Sequence, residues 1–469
     1  MKKLIFLFLV SLLLGFCSLF KPRILPYPSG VIFPVEKDGE TTYQGKIISR
    51  LQERNKNVYF STLKGFVYKF DSLERKILWK YQANHPLANA PLLGKEKIYV
   101  FDRENTLYCL GQEGQLLWKR KTEENITSEL KEDREKLYWG TEEGGLVAFN
   151  HEYGKKTWRF QAGGAIRSGP VFFDSWIIFG CDDGYLYFLS RGGKLIDKFQ
   201  IGGKIEASLL VDGKRLYFGS HDQYFYCLDL KKRKTKWRVK TGGKIFSQPV
   251  IKEKRVFFTS WDSALYSLNK NNGTILWWQV LPSRSLYDLE IIEGKIVVSS
   301  LSSTLVCFDM KTGLKRGTYE AGQEVRSNPL WLEPYLLISL YDYKQDEGRL
   351  VFLKKAVEVA LTPSKESPQN IGEEIIFSAK ATGFFQPQYE FYLKTGEGGK
   401  VIQVTSEQGS WTWFPEAAGE YTIGVKVIDA KEKAETEISF TIEKEEIEEV
   451  EADRRAFFDP PRQGRKRFD

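Results

Sequence analysis

One spacing dominates this chain. The apolar triplets Val58-Tyr59-Phe60, Ile98-Tyr99-Val100, Leu137-Tyr138-Trp139, Ile177-Ile178-Phe179, Leu216-Tyr217-Phe218, Val256-Phe257-Phe258, Ile296-Val297-Val298 and Leu336-Leu337-Ile338 begin 40, 39, 40, 39, 40, 40 and 40 residues apart. A second marker runs in phase: Trp79, Trp118, Trp158, Trp237 and Trp277 share one position, and Asp197 and Gly317 break the series. A fixed period of this length means that one supersecondary unit is stacked on copies of itself. The unit is short of helical periodicity and rich in turns. In the fifth copy the pattern predicts strands at Lys204–Val211, Arg215–Gly219, Tyr224–Leu228 and Thr235–Lys240, separated by polar turns such as Asp212-Gly213 and His221-Asp222.

The middle strands are apolar on both faces, as in Leu186-Tyr187-Phe188-Leu189. Strands covered on both sides lose the alternation of a half-solvated sheet. A four-stranded sheet held between two neighbouring sheets has that property, and radial repetition of such sheets is a propeller. The repeated Trp is expected to pack across the gap to the next unit. Counting the ends gives eight units. Gly45–Glu53 reads as the first inner strand, and Glu324–Leu332, Tyr335–Leu340, Gly348–Lys354 and Ala356–Leu361 read as the eighth unit, with a hairpin enlarged by Tyr341–Glu347.

The segment Leu216–Asp229, followed by Lys236-Trp237-Arg238, resembles the pyrroloquinoline-quinone-like repeat, as do 137–160 and 177–199. The resemblance covers about residues 43–361 and implies an eight-bladed β-propeller. Two groups share that repeat: quinoprotein alcohol dehydrogenases, and a non-enzymatic group that includes the lipoprotein propeller of the outer-membrane β-barrel assembly machinery. Chain length and the N-terminus are more similar to the second.

That N-terminus reads as an export signal. Lys2 and Lys3 precede an 11-residue apolar run, Leu4 to Leu14, too short to span a bilayer. Leu14-Gly15-Phe16-Cys17 resembles a lipobox, with Phe16 where a small residue is usual. Residues 1–17 are therefore expected to be a signal and lipobox, with Cys17 as the lipidation site. The chain is then exported to the periplasm or outer membrane and lipid-anchored there. The other four cysteines form no framework: Cys109, Cys227 and Cys307 sit at one repeat position in separated units, and Cys181 at another, so buried free thiols are expected.

Past the repeat, 362–372 has the composition of a linker. Alternating runs at Ile375–Ala381, Tyr389–Leu393, Lys400–Thr405, Ser410–Phe414, Tyr421–Ile428 and Glu437–Ile442 then predict a small β-sandwich over 373–443. The stretch Trp411–Pro415 with Ala418–Ile423 resembles bacterial immunoglobulin-like domains. Residues 444–469 run from acidic to basic and are expected to be a disordered tail. The fold class is thus all-β: an eight-bladed propeller followed by an immunoglobulin-like sandwich.

Chemistry is sparse. The chain has three histidines, His85, His151 and His221, each in a different unit. No metal-ligand spacing or nucleophile elbow is present. The pairs Gly163-Gly164, Gly202-Gly203 and Gly242-Gly243 recur in phase before strands, which suits tight connections better than phosphate loops. The net charge of +8 comes from 69 cations interspersed with 61 anions, which does not call for nucleic acid.

The loops joining successive units are expected at the mouth of a central channel, with Ile48, Ala88, Thr127, Arg167, Glu206, Phe246, Tyr287 and Arg326 at equivalent places. A quinone-dependent dehydrogenase needs clustered oxygen ligands for calcium and an acidic base, and this ring offers one carboxylate. The sequence therefore predicts no catalysis and no cofactor. It predicts a protein-binding scaffold of the cell envelope, in outer-membrane protein assembly, with a membrane contact through Cys17. The candidate partner-binding residues are Arg167, Glu206, Phe246, Tyr287, Arg326, Tyr341 and Tyr343. A quinone-dependent oxidoreductase and a secreted glycan-binding protein are the alternatives.

Overall fold

A computed structural model describes residues 35–444, except 49, 153, 286–287, 383, 385–386, 396–401, 407 and 429–432. Cys17, Tyr287 and the charged tail lie outside the described residues. All elements among the described residues are strands. They fall into two compact units that divide between Lys355 and Ala356.

The first unit holds eight four-stranded antiparallel sheets. Sheets one to seven are meanders over 52–82, 92–121, 131–161, 171–200, 210–240, 250–280 and 290–320. Each buries its two middle strands almost completely, as in Leu216, Phe218, Phe225 and Leu228 at 0% exposure. Eight apolar cores lie between successive sheets. The last of them joins Val58, Phe60 and Phe70 of sheet one to Leu337, Leu350 and Phe352 of sheet eight, so the sheets close into a ring. No single sheet could keep both faces dry alone; each supplies half of two cores.

The eighth sheet corrects the sequence reading. Its outermost strand is Val35–Gln44, paired antiparallel with Glu347–Lys355, and not Ala356–Leu361. Glu358–Pro363 pairs instead with Ile375–Thr382 in the second unit. The first strand among the described residues thus completes the last sheet of the ring. Tyr43 carries the junction: its ring covers Gly348, where a Cβ would fall 2.2 Å from it, and its hydroxyl lies 2.6 Å from Ser339 Oγ. The Tyr341–Glu347 enlargement is a longer hairpin, in which Tyr341 pairs with Gly348 and Asp342 with Glu347.

The inner strands are also shorter than the pattern suggests. In sheet five only Leu210–Asp212 forms the strand expected at Lys204–Val211, and in sheet one only Gln52–Arg54 of Gly45–Glu53. The residues before them are engaged elsewhere. Ile205 N–H donates to Ser220 C=O (3.3 Å), and His221 N–H to Lys204 C=O (2.9 Å), so this backbone clips the turn of its own sheet. The Gly-Gly pairs belong to the same connections. Gly163 N–H and Gly242 N–H donate to Asp183 and Asp262 carboxylates (3.2 and 2.8 Å), and Tyr187 and Tyr266 hydroxyls donate to those same carboxylates. A Cβ on Gly243 would sit 2.5 Å from Asp262 N.

Four cysteines are buried and free. Burial pushes the Cys109 and Cys227 thiols up to about 11 and the Cys181 and Cys307 thiols to about 12, which removes the reactive thiolate.

In the second unit a three-stranded sheet orders Glu358–Pro363, Ile375–Thr382 and Ser410–Trp413. A five-stranded sheet orders Gln369–Asn370, Lys433–Glu443, Gly419–Ile428, Gln388–Thr395 and Ile402–Ser406. Phe377, Phe391, Val425 and Phe440 form the core between them, flanked by Trp411 and Trp413. Gln369–Asn370, inside the stretch read as linker, pairs parallel with Ile442–Glu443.

Candidate functional site

The connection from each outer strand to the next inner strand runs toward the middle of the ring. Residues one or two places after the expected mouth positions meet there. Arg50 of sheet one reaches across the opening: its guanidinium lies 2.9 Å from Glu129 of sheet three and 3.0 Å from Asp288 of sheet seven, and donates to Gln248 of sheet six at 2.9 Å. Leu51 N–H donates to Asn328 Oδ1 of sheet eight (2.9 Å). One guanidinium therefore ties together four of the eight sheets.

The electrostatics follow from burial and this one cation. Burial raises the cost of charge on Glu129, yet Arg50 and Lys131, 2.8 Å away, outweigh it and hold the carboxyl below its ordinary value. Asp288 is more deeply enclosed, and burial wins: its carboxyl is pushed up despite Arg50. Glu290, two residues on, is pushed up to about 7 by burial and then by the charge of Asp288.

Above this floor is an open recess of about 500 Å3, lined among others by Lys46, Ile48, Arg103, Phe246 and Arg326. Its rim has two halves. On one, Arg167 lies 2.6 Å from Glu142, 3.2 Å from Asp182 and 3.9 Å from Glu206, and Lys204 shares Asp182 at 2.9 Å. From there a run of rings continues: His221 on Phe246 (4.5 Å between centroids), Phe246 on Trp261 (4.3 Å), and Arg284 over Trp261 (4.9 Å). His221 Nε2 is 3.4 Å from Glu206, and burial lowers its pKa despite that neighbour. On the other half, Tyr343 is 60% exposed at the tip of the long hairpin, edge-on to Tyr341 at 4.9 Å. Lys46 donates to the Tyr343 hydroxyl (3.2 Å), and Arg326 bonds both that hydroxyl and Glu324.

Of the residues singled out from sequence, Arg167, Glu206, Phe246, Arg326, Tyr341 and Tyr343 thus sit around one opening, and Tyr287 lies outside the described residues. The sequence reading missed Arg50, Glu129, Gln248 and Asp288. The signal was available: positions 50, 90, 129, 169, 208, 248, 288 and 328 follow the same 39–40 spacing. Nothing in the pattern, however, says that one side chain spans the hole.

Chemically the floor is a closed salt-bridge cluster. The carboxylates Glu129 and Asp288 that could ligate a cation are turned onto Arg50, and among the described residues no group of three or more His, Cys, Asp or Glu is placed to hold a metal ion. These residues do not fit the calcium–quinone pair of a quinoprotein dehydrogenase.

Comparison with known proteins follows the fold. Three solved structures resemble the chain at 12–15% identity. They are BamB from Moraxella catarrhalis (TM-score 0.60, 15% identity, 68% of this chain and 99% of that one), the computationally designed protein Ika8 (0.56, 15%, 66% and 97%), and quinohemoprotein alcohol dehydrogenase from Comamonas testosteroni (0.56, 12%, 71% and 78%). At such identity these likenesses establish the propeller-type fold alone. No curated protein matches the sequence. The sequence family described as outer membrane protein assembly factor BamB matches over residues 63–203 and 182–413, three quarters of the chain, and this protein belongs to that family.

Proposed function

We propose that this protein is a non-catalytic scaffold of the bacterial cell envelope that holds a partner of the outer-membrane protein assembly process against the recess mouth. On this reading the eight sheets are the blades of an eight-bladed propeller, the second unit is an immunoglobulin-like spacer, and Cys17 carries a lipid after export. Membership of the BamB family supports the location and the process. The observation that supports the absence of catalysis is the Arg50 cluster: the carboxylates at the floor of the opening are neutralised internally, as are those around Arg167, which leaves a rim of aromatic and charged loops. Short loops on a rigid body suit protein recognition, and Tyr, Trp and Arg are the side chains that dominate interface energies.

The rim predicts a specific result. Phe246→Ala combined with Tyr343→Ala is expected to lower recovery of outer-membrane assembly components, in quantitative crosslinking from the envelope, at least tenfold, with the midpoint of unfolding nearly unchanged. Full recovery would place the partner elsewhere on the molecule. Dye reduction by an alcohol that depends on both quinone and calcium would overturn the non-catalytic reading.

A further inference from the structure

The two ends of the sheets differ in charge. In sheets one to seven, the turns between first and second strands and between third and fourth strands lie at one end. The remaining turns and the intersheet connections lie at the other, with the recess. In sheets five, six and seven the first set comprises 212–215, 229–236, 252–255, 269–274, 293–295 and 309–316. These hold fifteen Lys and Arg against five Asp and Glu. The opposite end of the same sheets, 220–224, 241–247, 260–264, 281–288, 299–304 and 320–327, holds three against five. The first face alone carries more positive charge than the whole chain, whose net charge is +8.

The turns on this face touch one another: Arg215 donates to Asn271 at 2.6 Å, and Lys231 lies 3.4 Å from Asp174. Lys214, Lys232, Lys234, Lys252, Lys254 and Lys311 are exposed on it, and among the described residues none of the six is in an ion pair. Such charge is costly to gather without a counter-charge.

We infer that this face docks on an anionic phospholipid surface. Two observations favour a membrane over an acidic polypeptide. Lys232, Lys234, Lys252, Lys254 and Lys311 stand exposed on turn tips of three neighbouring sheets, outside the open recess of about 410 Å3 that Lys214, Arg215, Lys236 and Lys270 line together with Asp212 and Asp229. The described chain also begins at this same end: Val35 pairs with Lys355, the last residue of the third strand of sheet eight, so the thirty-four residues that precede it in sequence join the ring on the lysine-bearing side. The recess then faces away from the membrane and stays free for a partner. The inference stands apart from the scaffold reading, since it uses none of the recess residues.

The test is binding of the full chain to vesicles of pure phosphatidylcholine and of a 7:3 mixture with phosphatidylglycerol. Any acyl chain contributes to both, so the ratio isolates charge. At 0.1 M salt the mixed vesicles are expected to bind at least thirtyfold more tightly, and the ratio is expected to collapse toward one at 0.5 M salt. Each cation near such a surface contributes about fivefold. Lys232→Gln, Lys234→Gln, Lys252→Gln and Lys254→Gln together are expected to cut the ratio at least tenfold, with unchanged circular dichroism and unchanged recovery of a rim partner. Neutralising Lys80, Lys119, Arg120 and Lys121 on outer strands serves as the control of equal charge. An unchanged ratio in the turn variant, an equal loss in the control, or tight capture by poly-glutamate without any phosphatidylglycerol preference would overturn the inference.

Discussion

Glu290 shows what enclosure does to a single side chain. Its carboxyl titrates near 7 in the folded protein because burial and Asp288 both oppose its charge, while in an unfolded chain it returns to the ordinary range, near 4.3. A raised carboxyl costs no stability below its unfolded value and costs the most above its folded one. Stability is therefore expected to fall as pH rises from about 4.5 to 7. Glu290→Gln should flatten that fall and raise stability at pH 8 by about 1–2 kcal/mol, allowing for the water in the opening. Denaturant midpoints of both proteins at pH 5 and pH 8 check this; parallel shifts would mean that Glu290 is well solvated. The repeat gave no sign that Asp288 and Glu129 would share one cation from a sheet two places round the ring from each.

Individual sheets are joined by a contact that the repeat encodes in pairs. Trp79, Trp158, Trp237 and Trp277 each lie on a glycine in a turn of the next sheet, Gly114, Gly193, Gly273 and Gly313, where a Cβ would fall 2.6–2.7 Å from the indole. Those glycines have φ of 73–82°, a conformation that suits glycine. Asp197 stands where Trp is usual, and the turn position opposite it is Arg233, at φ 51°, 2.8 Å from its carboxylate. Asp38 and Arg75 repeat that exchange at the closing junction. Both partners change together because an arginine Cβ and an indole cannot occupy the same space. Trp237→Ala is expected to cost about 2–4 kcal/mol, since the side chain is only partly buried. Asp197→Trp alone should destabilise by about 1–3 kcal/mol, and adding Arg233→Gly should recover most of that loss. Additive effects in this double-mutant cycle would show that the two positions do not touch.

Across the whole ring, stability depends on a strand from the far end of the sequence. Val35–Gln44 supplies the edge of sheet eight, and Tyr43 packs into the core shared with sheet one. Tyr43→Ala is expected to cost about 3–5 kcal/mol. It should also loosen sheets one and eight together, so that amide exchange in Gly348–Lys355 accelerates before exchange in sheet four. Uniform acceleration across all sheets would mean that the junction is no weaker than the rest. The period alone determined the repeating unit, that it holds four strands, the number of copies and the apolar triplets at the middle of each sheet. These follow from local alternation and turn chemistry, which repeat with the sequence. Only the tertiary structure decided which strand closes the ring, that residues 358–363 belong to the second unit, and that Arg50 fills the opening. Those are long-range contacts between residues that no local pattern links, fixed by where closure brings the chain ends and the inner loops together.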